Sequence, residues 1–249
     1  MRAILASPLG VIVGVLLGAL GGGGSIVAVP VLVFVLGQTP AAATTTSLVV
    51  VGPAAALGAF GHWRAGRVRV REGAAFGACG IVGSVMGSAL NRRLDGDLLL
   101  LAFSVLLAVA AWRMPAADRH PRIGEKRRAG GAAVVATGVA VGFVTGLFGV
   151  GGGFVIVPAL ALVLGFSMPM AIGTSLLVIT VNSAAALAAR GFDVAWATAL
   201  PFLVATVVGV GIGKRMADKV AARTLARWFA WTLLVVAGYT GLRAAVALG

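Results

Sequence analysis

Two long stretches of the chain contain no charged side chain. The first runs from Ala3 to Trp63 and the second from Ala129 to Ala189. A transmembrane helix needs about 20 consecutive apolar residues to cross a hydrocarbon core of roughly 30 Å. Each stretch therefore has room for two crossings and one shorter segment, and the pattern predicts a helical membrane protein.

Glycine clusters and polar connections divide this pattern into the same order of elements in each half. A helix is followed by a glycine cluster, a short apolar piece and three further helices. The short pieces, residues 26–36 and 154–164, would extend only about 16 Å as helices, roughly half a membrane. They are expected to be half-helices of a broken span or re-entrant arms, and the sequence leaves both open. The predicted helices cover residues 3–20, 41–61, 73–90, 98–113, 129–147, 171–189, 194–213 and 228–248.

A shift of 128 positions aligns the two halves and indicates a tandem duplication. The fold expected is therefore an all-α polytopic membrane protein of about eight transmembrane helices in two four-helix repeats. The repeats would occupy residues 1–113 and 129–249, joined by a basic loop at 114–128. The aligned positions include Gly21 with Gly149, Pro30 with Pro158, and Thr46-Ser47 with Thr174-Ser175.

Charge sets the expected orientation and partners. The chain has a net charge of +13, which in a soluble protein would indicate nucleic-acid binding. With 60% hydrophobic and only 11% charged residues, however, the composition is typical of a membrane protein, so the expected partner is the bilayer and no nucleic acid. An even number of crossings would make both repeats run in the same direction. Because basic residues cluster at 64–71 and 113–128, and cytoplasmic loops are rich in Lys and Arg, both termini are predicted to be cytoplasmic, in the cell inner (plasma) membrane.

The glycines follow two distinct patterns. The spacings Gly83-x-x-x-Gly87 and Gly209-x-Gly211-x-Gly213 are typical of close helix–helix contacts in membranes. Consecutive glycines, as in GGGGSIVAVP and GVGGGFVIVP, instead destabilise a helix by about 1 kcal/mol each relative to Ala. In a membrane, such a break is tolerated where protein or a water-filled cavity surrounds it, and its free N–H groups attract negative charge.

Polar side chains inside the apolar stretches are neutral hydroxyls and amides. All seven Asp and Glu residues lie in or beside predicted loops. A site with N–H and O–H donors and no carboxylate suits an anion. For each hydroxyl a structural alternative remains open, because Ser and Thr in membrane helices often bond to carbonyls of their own helix.

Metal binding and catalysis are not expected. His62 and His120 lie in or beside basic loops and lack a second ligand at metal-binding spacing, so both are interpreted as solvated or interfacial side chains. Cys79 is the single cysteine. With no Ser, His and Asp arrangement at membrane depth, the chain is predicted not to be an enzyme and to need no cofactor.

Several segments resemble the TauE/SafE family of membrane permeases over nearly the whole chain. They are GLFGVGGGFVIVPAL and AIGTSLLVITVNS in the second half, and GGGGSIVAVPVL and AAATTTSLVVV in the first. The resemblance implies an eight-helix carrier associated with export of sulfite, sulfoacetate or related organosulfur anions. The first half departs from the second where Ser25 aligns with Gly153 and Ala54 with Asn182.

These observations predict a transporter, in the exporting direction, of a small anion, with alternating access at a site that the two glycine breaks form near the membrane midplane. A passive anion channel and a non-transporting scaffold or assembly factor remain alternatives, and a homo-oligomer is left open. Pro30 and Pro158 would shape the short helices. The predicted substrate-binding residues are Gly22, Gly23, Gly24, Ser25, Thr46, Ser47, Gly151, Gly152, Gly153, Thr174, Ser175 and Asn182.

Overall fold

The computed structural model describes residues 2–91, 96–117, 130–148, 153–190, 194 and 196–248, and helices make up nearly all of them. Among the described residues, six helices are long and apolar enough to cross a membrane, judged by length and composition. This confirms the predicted all-helical polytopic class. The helices are α1 (Arg2–Leu20), α2 (Gly23–Pro30), α3 (Pro40–Arg64), α4 (Val70–Asn91), α5 (Gly96–Ala117), α6 (Gly131–Phe148), α7 (Gly153–Pro158), α8 (Met168–Arg190), α9 (Trp196–Lys219) and α10 (Ala222–Leu248).

The two short apolar pieces share one irregular form. Helix α2 widens into a π-helical turn at Val31–Val35, and α7 does the same at Ala159–Val163. Each turn begins directly after a proline, Pro30 or Pro158, which lacks the N–H that an α-helical hydrogen bond requires. The prolines therefore lie where the hydrogen-bond pattern changes, as the prediction that they shape the short helices requires.

Helix α2 folds back along α1. Gly21 has a φ of 74°, a left-handed conformation that glycine adopts without strain. A Cβ on Gly24 would overlap the Val13 carbonyl oxygen and the Leu17 side chain, which places α2 against the middle of α1. The first short piece is therefore a returning arm. The second glycine break, residues 149–152, lies outside the described residues.

The two halves run in opposite directions, so the prediction of a common direction is wrong. Helices α3 and α8 are equivalent under the shift of 128 and should then be parallel. Instead, Gly52 contacts Ser183 while Gly58 contacts Leu176, and this order makes the two helices antiparallel.

The physical reason is the returning arm. The ends of α1 and α3 lie at the same level, with the Gly18 carbonyl beside the ring of His62. The chain must therefore travel back between these helices, and α2 with its π turn performs that passage. Each half consequently contains five helices in succession rather than four, and an odd number inverts the second half relative to the first.

The closest helix packing joins one half to the other. Helix α1 lies along α9, and α6 lies along α4. A Cβ on Gly14 would overlap the Thr206 carbonyl oxygen, and one on the equivalent Gly142 would overlap that of Gly80. Such backbone contact requires residues without side chains, as in small-xxx-small surfaces.

The predicted contact glycines are confirmed with one exception. Gly83 and Gly87 lie against the backbone of α6, and Gly209 and Gly213 lie against that of α1. Gly211 faces away from α1, and a Cβ on it would meet no described atom within 4 Å. The helix period accounts for this exception, because residues four apart share one face of a helix and the residue midway between them points to the opposite side.

Basic residues concentrate at the end of the bundle where residues 65–69 connect α3 to α4, which we call the basic end. There the Arg69 amide donates to Thr174 Oγ1 at 3.1 Å, and Arg67 forms an ion pair with Asp218. The first residue of α1 and the last of α10 lie at the opposite end, which carries Arg2, Arg190 and Arg243. The described basic residues at the basic end are Arg64, Arg67, Arg69, Arg71, Arg113, Lys214, Arg215, Lys219, Arg223 and Arg227.

Candidate functional site

The two short helices meet, at their first residues, inside the bundle. A Cβ on Gly22 would overlap the carbonyl group of Gly153, so the two backbones touch. Gly153 also lies against Ile179, near the centre of α8. The ring of Phe154 packs edge-on against Phe103 of α5, with centroids 5.1 Å apart, which fixes the start of α7. The contact of Gly22 with Gly153 is therefore an internal junction, level with the part of α8 between Ile172 and Ile179.

Two serines border this junction. Ser25 Oγ lies beside the start of α7 and donates to the Gly22 carbonyl at 2.8 Å. Ser175 Oγ lies beside Gly21 and donates to the Ile172 carbonyl at 2.8 Å. Both serines are buried. Their hydroxyl protons are used within the chain, and the oxygens remain available as acceptors at the junction.

Two other predicted hydroxyl groups, those of Ser47 and Thr174, also form hydrogen bonds within the protein. Ser47 donates to the Thr44 carbonyl at 2.8 Å, the same arrangement that its equivalent Ser175 makes. Thr174 Oγ1 accepts the Arg69 amide hydrogen, which directs this oxygen toward the basic end. In this conformation, Ser47 and Ser175 therefore donate to carbonyl groups of their own helices, as hydroxyl side chains in membrane helices often do.

Among the predicted substrate-binding residues, two have a buried polar atom that lacks a partner among the described residues. These atoms are Oγ1 of Thr46, which is 0% exposed, and Oδ1 of Asn182. Asn182 lies one turn beyond Ile179 on α8 and faces Gly77 and Gly80 of α4. An unpaired buried polar group costs about 1–3 kcal/mol, so a bound ligand or water that forms a hydrogen bond at either position would gain stability.

The remaining predicted glycines divide into two groups. A Cβ on Gly23 would make ordinary contacts, with the Leu20 side chain at 3.4 Å and the Leu16 carbonyl oxygen at 3.8 Å, and Gly24 faces α1. Both therefore lie away from the junction, on the side of α2 that packs against α1. Gly151 and Gly152 lie outside the described residues, so their predicted role stays a prediction.

A cavity of about 540 Å³ begins beside Ser25. Side chains of α5 and α10, including Phe103 and Val236, form its mostly apolar walls. Asn91, at the end of α4, lines it as well and donates from Nδ2 to the Leu147 carbonyl at 2.7 Å. Because α4 and α6 both end there, the cavity extends from the junction toward the end opposite the basic end.

The sequence interpretation of His62 is wrong. This side chain is only 1% exposed and is not interfacial, because the ends of α1 and α9 and the start of α8 enclose the last turn of α3. The sequence feature that indicates the burial of His62 is its position inside the first uncharged stretch, Ala3 to Trp63. His120 lies outside the described residues. Among the residues that the structure describes, no three His, Cys, Asp or Glu side chains are grouped to hold a metal ion.

Comparison with known proteins gives matches along nearly the whole chain. Residues 6–240 match the family described as sulfite exporter TauE/SafE. A "Probable membrane transporter protein" of Xylella fastidiosa (strain 9a5c) is 36% identical over 247 residues, covering 92% of this chain and 91% of that protein. The probable membrane transporter proteins YdhB of Bacillus subtilis and MJ0441 of Methanocaldococcus jannaschii are 26% and 27% identical, covering 83% and 87% of this chain and 87% and 90% of theirs. No solved structure matches the chain. The chain therefore belongs to the TauE/SafE family, and the protein is a membrane transporter.

Proposed function

We propose that this transporter exports a small anion, sulfite or a related organosulfur anion, by alternating access at the junction of α2 and α7. The observation that carries the proposal is the backbone contact of Gly22 with Gly153 near the centre of α8. The first residues of the two short helices meet there inside the bundle, where both glycines are buried. Free N–H groups at the start of α2 add positive potential at this point.

The side chains around the junction fit an anion. Thr46 Oγ1 has no described partner and can donate its hydroxyl hydrogen. The Asn182 amide can present its NH₂ group after rotation about its last torsion angle. The acidic side chains that the structure describes, Glu72 and Asp218, lie in the first turn of α4 and the last turn of α9, at the basic end. A negatively charged ligand would thus meet donors without repulsion.

We further propose that the chain is a duplicated unit whose halves, residues 1–113 and 129–249, are inverted about an axis in the membrane plane. The equivalent contacts of Gly14 and Gly142 and the paired π turns support this symmetry. Eight helices of 18 or more residues would form the membrane domain, with α2 and α7 as returning arms. Inverted repeats with a site at their interface are a common basis of alternating access.

The structure also changes the proposed orientation. The sequence-based prediction grouped Arg64 to Arg71 with the termini, whereas the basic end lies opposite them. The excess of Lys and Arg in cytoplasmic segments then favours a cytoplasmic basic end. Both termini of the described chain would lie on the outer side of the inner membrane.

Counterflow in liposomes tests the proposed function. Liposomes containing the purified protein would be loaded with unlabelled sulfite and receive labelled sulfite outside. Sulfate, thiosulfate and sulfoacetate would serve as competitors. Saturable accumulation of label establishes a carrier and ranks its anions. Flux that neither saturates nor shows counterflow would indicate a channel, and no flux from folded protein, without stabilisation by any anion, would indicate a scaffold.

Two neighbouring glycines provide matched variants. Gly22→Ala should reduce counterflow at least about tenfold, because its Cβ would displace the Gly153 backbone. Gly23→Ala should retain activity within about twofold, since its Cβ makes only an ordinary contact with Leu20. Thermal unfolding in detergent would verify that both variants are folded. Equal activity of the two folded variants would contradict a site at the junction.

A further inference from the structure

A titratable side chain lies inside the bundle beside the proposed anion site. Among the buried polar residues of the described chain, His62 is the one histidine, the side-chain type whose ordinary charge change falls between pH 5 and 8. A Cβ on Gly173 would lie 3.0 Å from the His62 Cβ, and the Gly18 carbonyl lies beside the ring. Gly21 and Ser175, which border the junction, follow these two glycines by less than one helical turn. His62 therefore lies within about one helical turn of the residues that border the junction.

The imidazole has unused hydrogen-bonding capacity. Neither ring nitrogen of His62 forms a hydrogen bond of acceptable geometry with a described residue. A neutral imidazole carries one donor and one acceptor, and an interior polar group without a partner costs about 1–3 kcal/mol. Such a group in a membrane protein typically lies on a substrate or proton path.

The charges around the ring oppose a permanent positive charge. The charged groups that act on His62 are Lys214 and Asp218 of α9 and Arg67 of the α3–α4 connection. The neighbouring parts of α1 and α8 present glycine. Asp218 is already paired, with Arg67 and with Lys214 at 2.9 Å. An imidazolium would thus be a buried cation near two others, without an anion of its own.

We propose that His62 takes up a proton together with the transported anion, so that transport is coupled to proton movement. This inference rests on the proposed anion site at the junction. The bound anion supplies the negative charge that an imidazolium needs, and by thermodynamic reciprocity the proton increases anion affinity by the same factor. The proton enters from water and returns to water when the anion leaves, and no bond of the anion changes.

Proton coupling can be measured separately from carrier activity. Liposomes containing the protein and a luminal pH dye would receive whichever of sulfite, sulfate, thiosulfate or sulfoacetate gives the largest counterflow, with protein-free liposomes correcting for leakage. For wild type we expect proton entry with the anion, and about tenfold accumulation for each unit of inward pH gradient if one proton accompanies each anion. Anion uptake without proton movement or a gradient effect would overturn the proposal and leave the carrier function intact.

The His62→Gln variant locates the coupling. Glutamine can form hydrogen bonds at a similar distance but does not titrate. We expect counterflow at equal pH to persist at a reduced level, because the proton no longer strengthens anion binding, and the gradient-driven accumulation to be lost, a separation that a purely structural role would not produce. Gradient-driven accumulation that survives in His62→Gln would overturn the assignment. Absence of counterflow in wild type would instead contradict the proposed function, and the inference with it.

Discussion

At the residue scale, adjacent glycines in one cluster serve different purposes. Gly21 has a positive φ that permits the chain to reverse, whereas Gly22 has φ −92° and ψ −17°, values open to any residue. Gly22 is required because Gly153 occupies the space of its side chain. The sequence predicted that the cluster is special, but the individual reasons depend on contacts with the other half and could not be read from it. The burial of His62 depends on the other half as well, although its place inside the first uncharged stretch indicates it in part.

The hydrogen bond between Thr174 and the Arg69 amide gives a prediction at this scale. Thr174→Val preserves the shape of the side chain but removes the acceptor, which should destabilise the protein by about 1 kcal/mol and lower its unfolding temperature by about 2–4 °C. Thr174→Ser should unfold close to wild type. Differential scanning fluorimetry in detergent would measure both, and equal loss in the two variants would argue against the hydrogen bond.

At the element scale, the sequence predicted helix positions better than helix directions. Apolar length and charged ends fix where a helix begins and ends, so α4, predicted at 73–90, is found at Val70–Asn91. The direction taken after Gly21 depends on the packing of Gly24 against Val13 and Leu17, which no local pattern encodes. The change from α to π hydrogen bonding after Pro30 was not predicted either.

Helix α9 allows a test of packing against spacing. Gly209→Ala would place a Cβ on the Val11 carbonyl oxygen of α1, and we expect a loss of roughly 1–3 kcal/mol or more. Gly211→Ala has open space and should leave stability unchanged or raise it by up to about 1 kcal/mol, because Ala is the better helix former. Thermal unfolding would compare them, and similar losses in both would mean that α9 packs on another face.

At the scale of the whole molecule, the sequence established the class and the family but not the relation of the halves. Counting crossings gave an even number per half because the short pieces were too short to span. The structure shows that α2 nevertheless returns the chain, so that α1 and α3 end at one level. One returning arm therefore reverses the second half and separates the basic end from the termini.

Cysteine accessibility tests this arrangement. In a Cys79→Ala background, Ala65→Cys would place a thiol at the basic end and Ala188→Cys one near the opposite end, both at exposed positions. A membrane-impermeant maleimide should label Ala188→Cys in intact cells and Ala65→Cys only after permeabilisation. The reverse pattern would place the basic end outside, and labelling of both from one side would contradict the opposed ends.

The pairing of α1 with α9 and of α4 with α6 also bears on how the protein is made. Among the described helices, α1 is synthesised before α9, which covers its glycine face, by about 180 residues. Until Trp196–Lys219 is inserted, that face has only lipid or the insertion machinery as a neighbour. A chain interrupted before this point would retain an unsatisfied first helix, a feature by which membrane quality control could distinguish unfinished copies from finished ones.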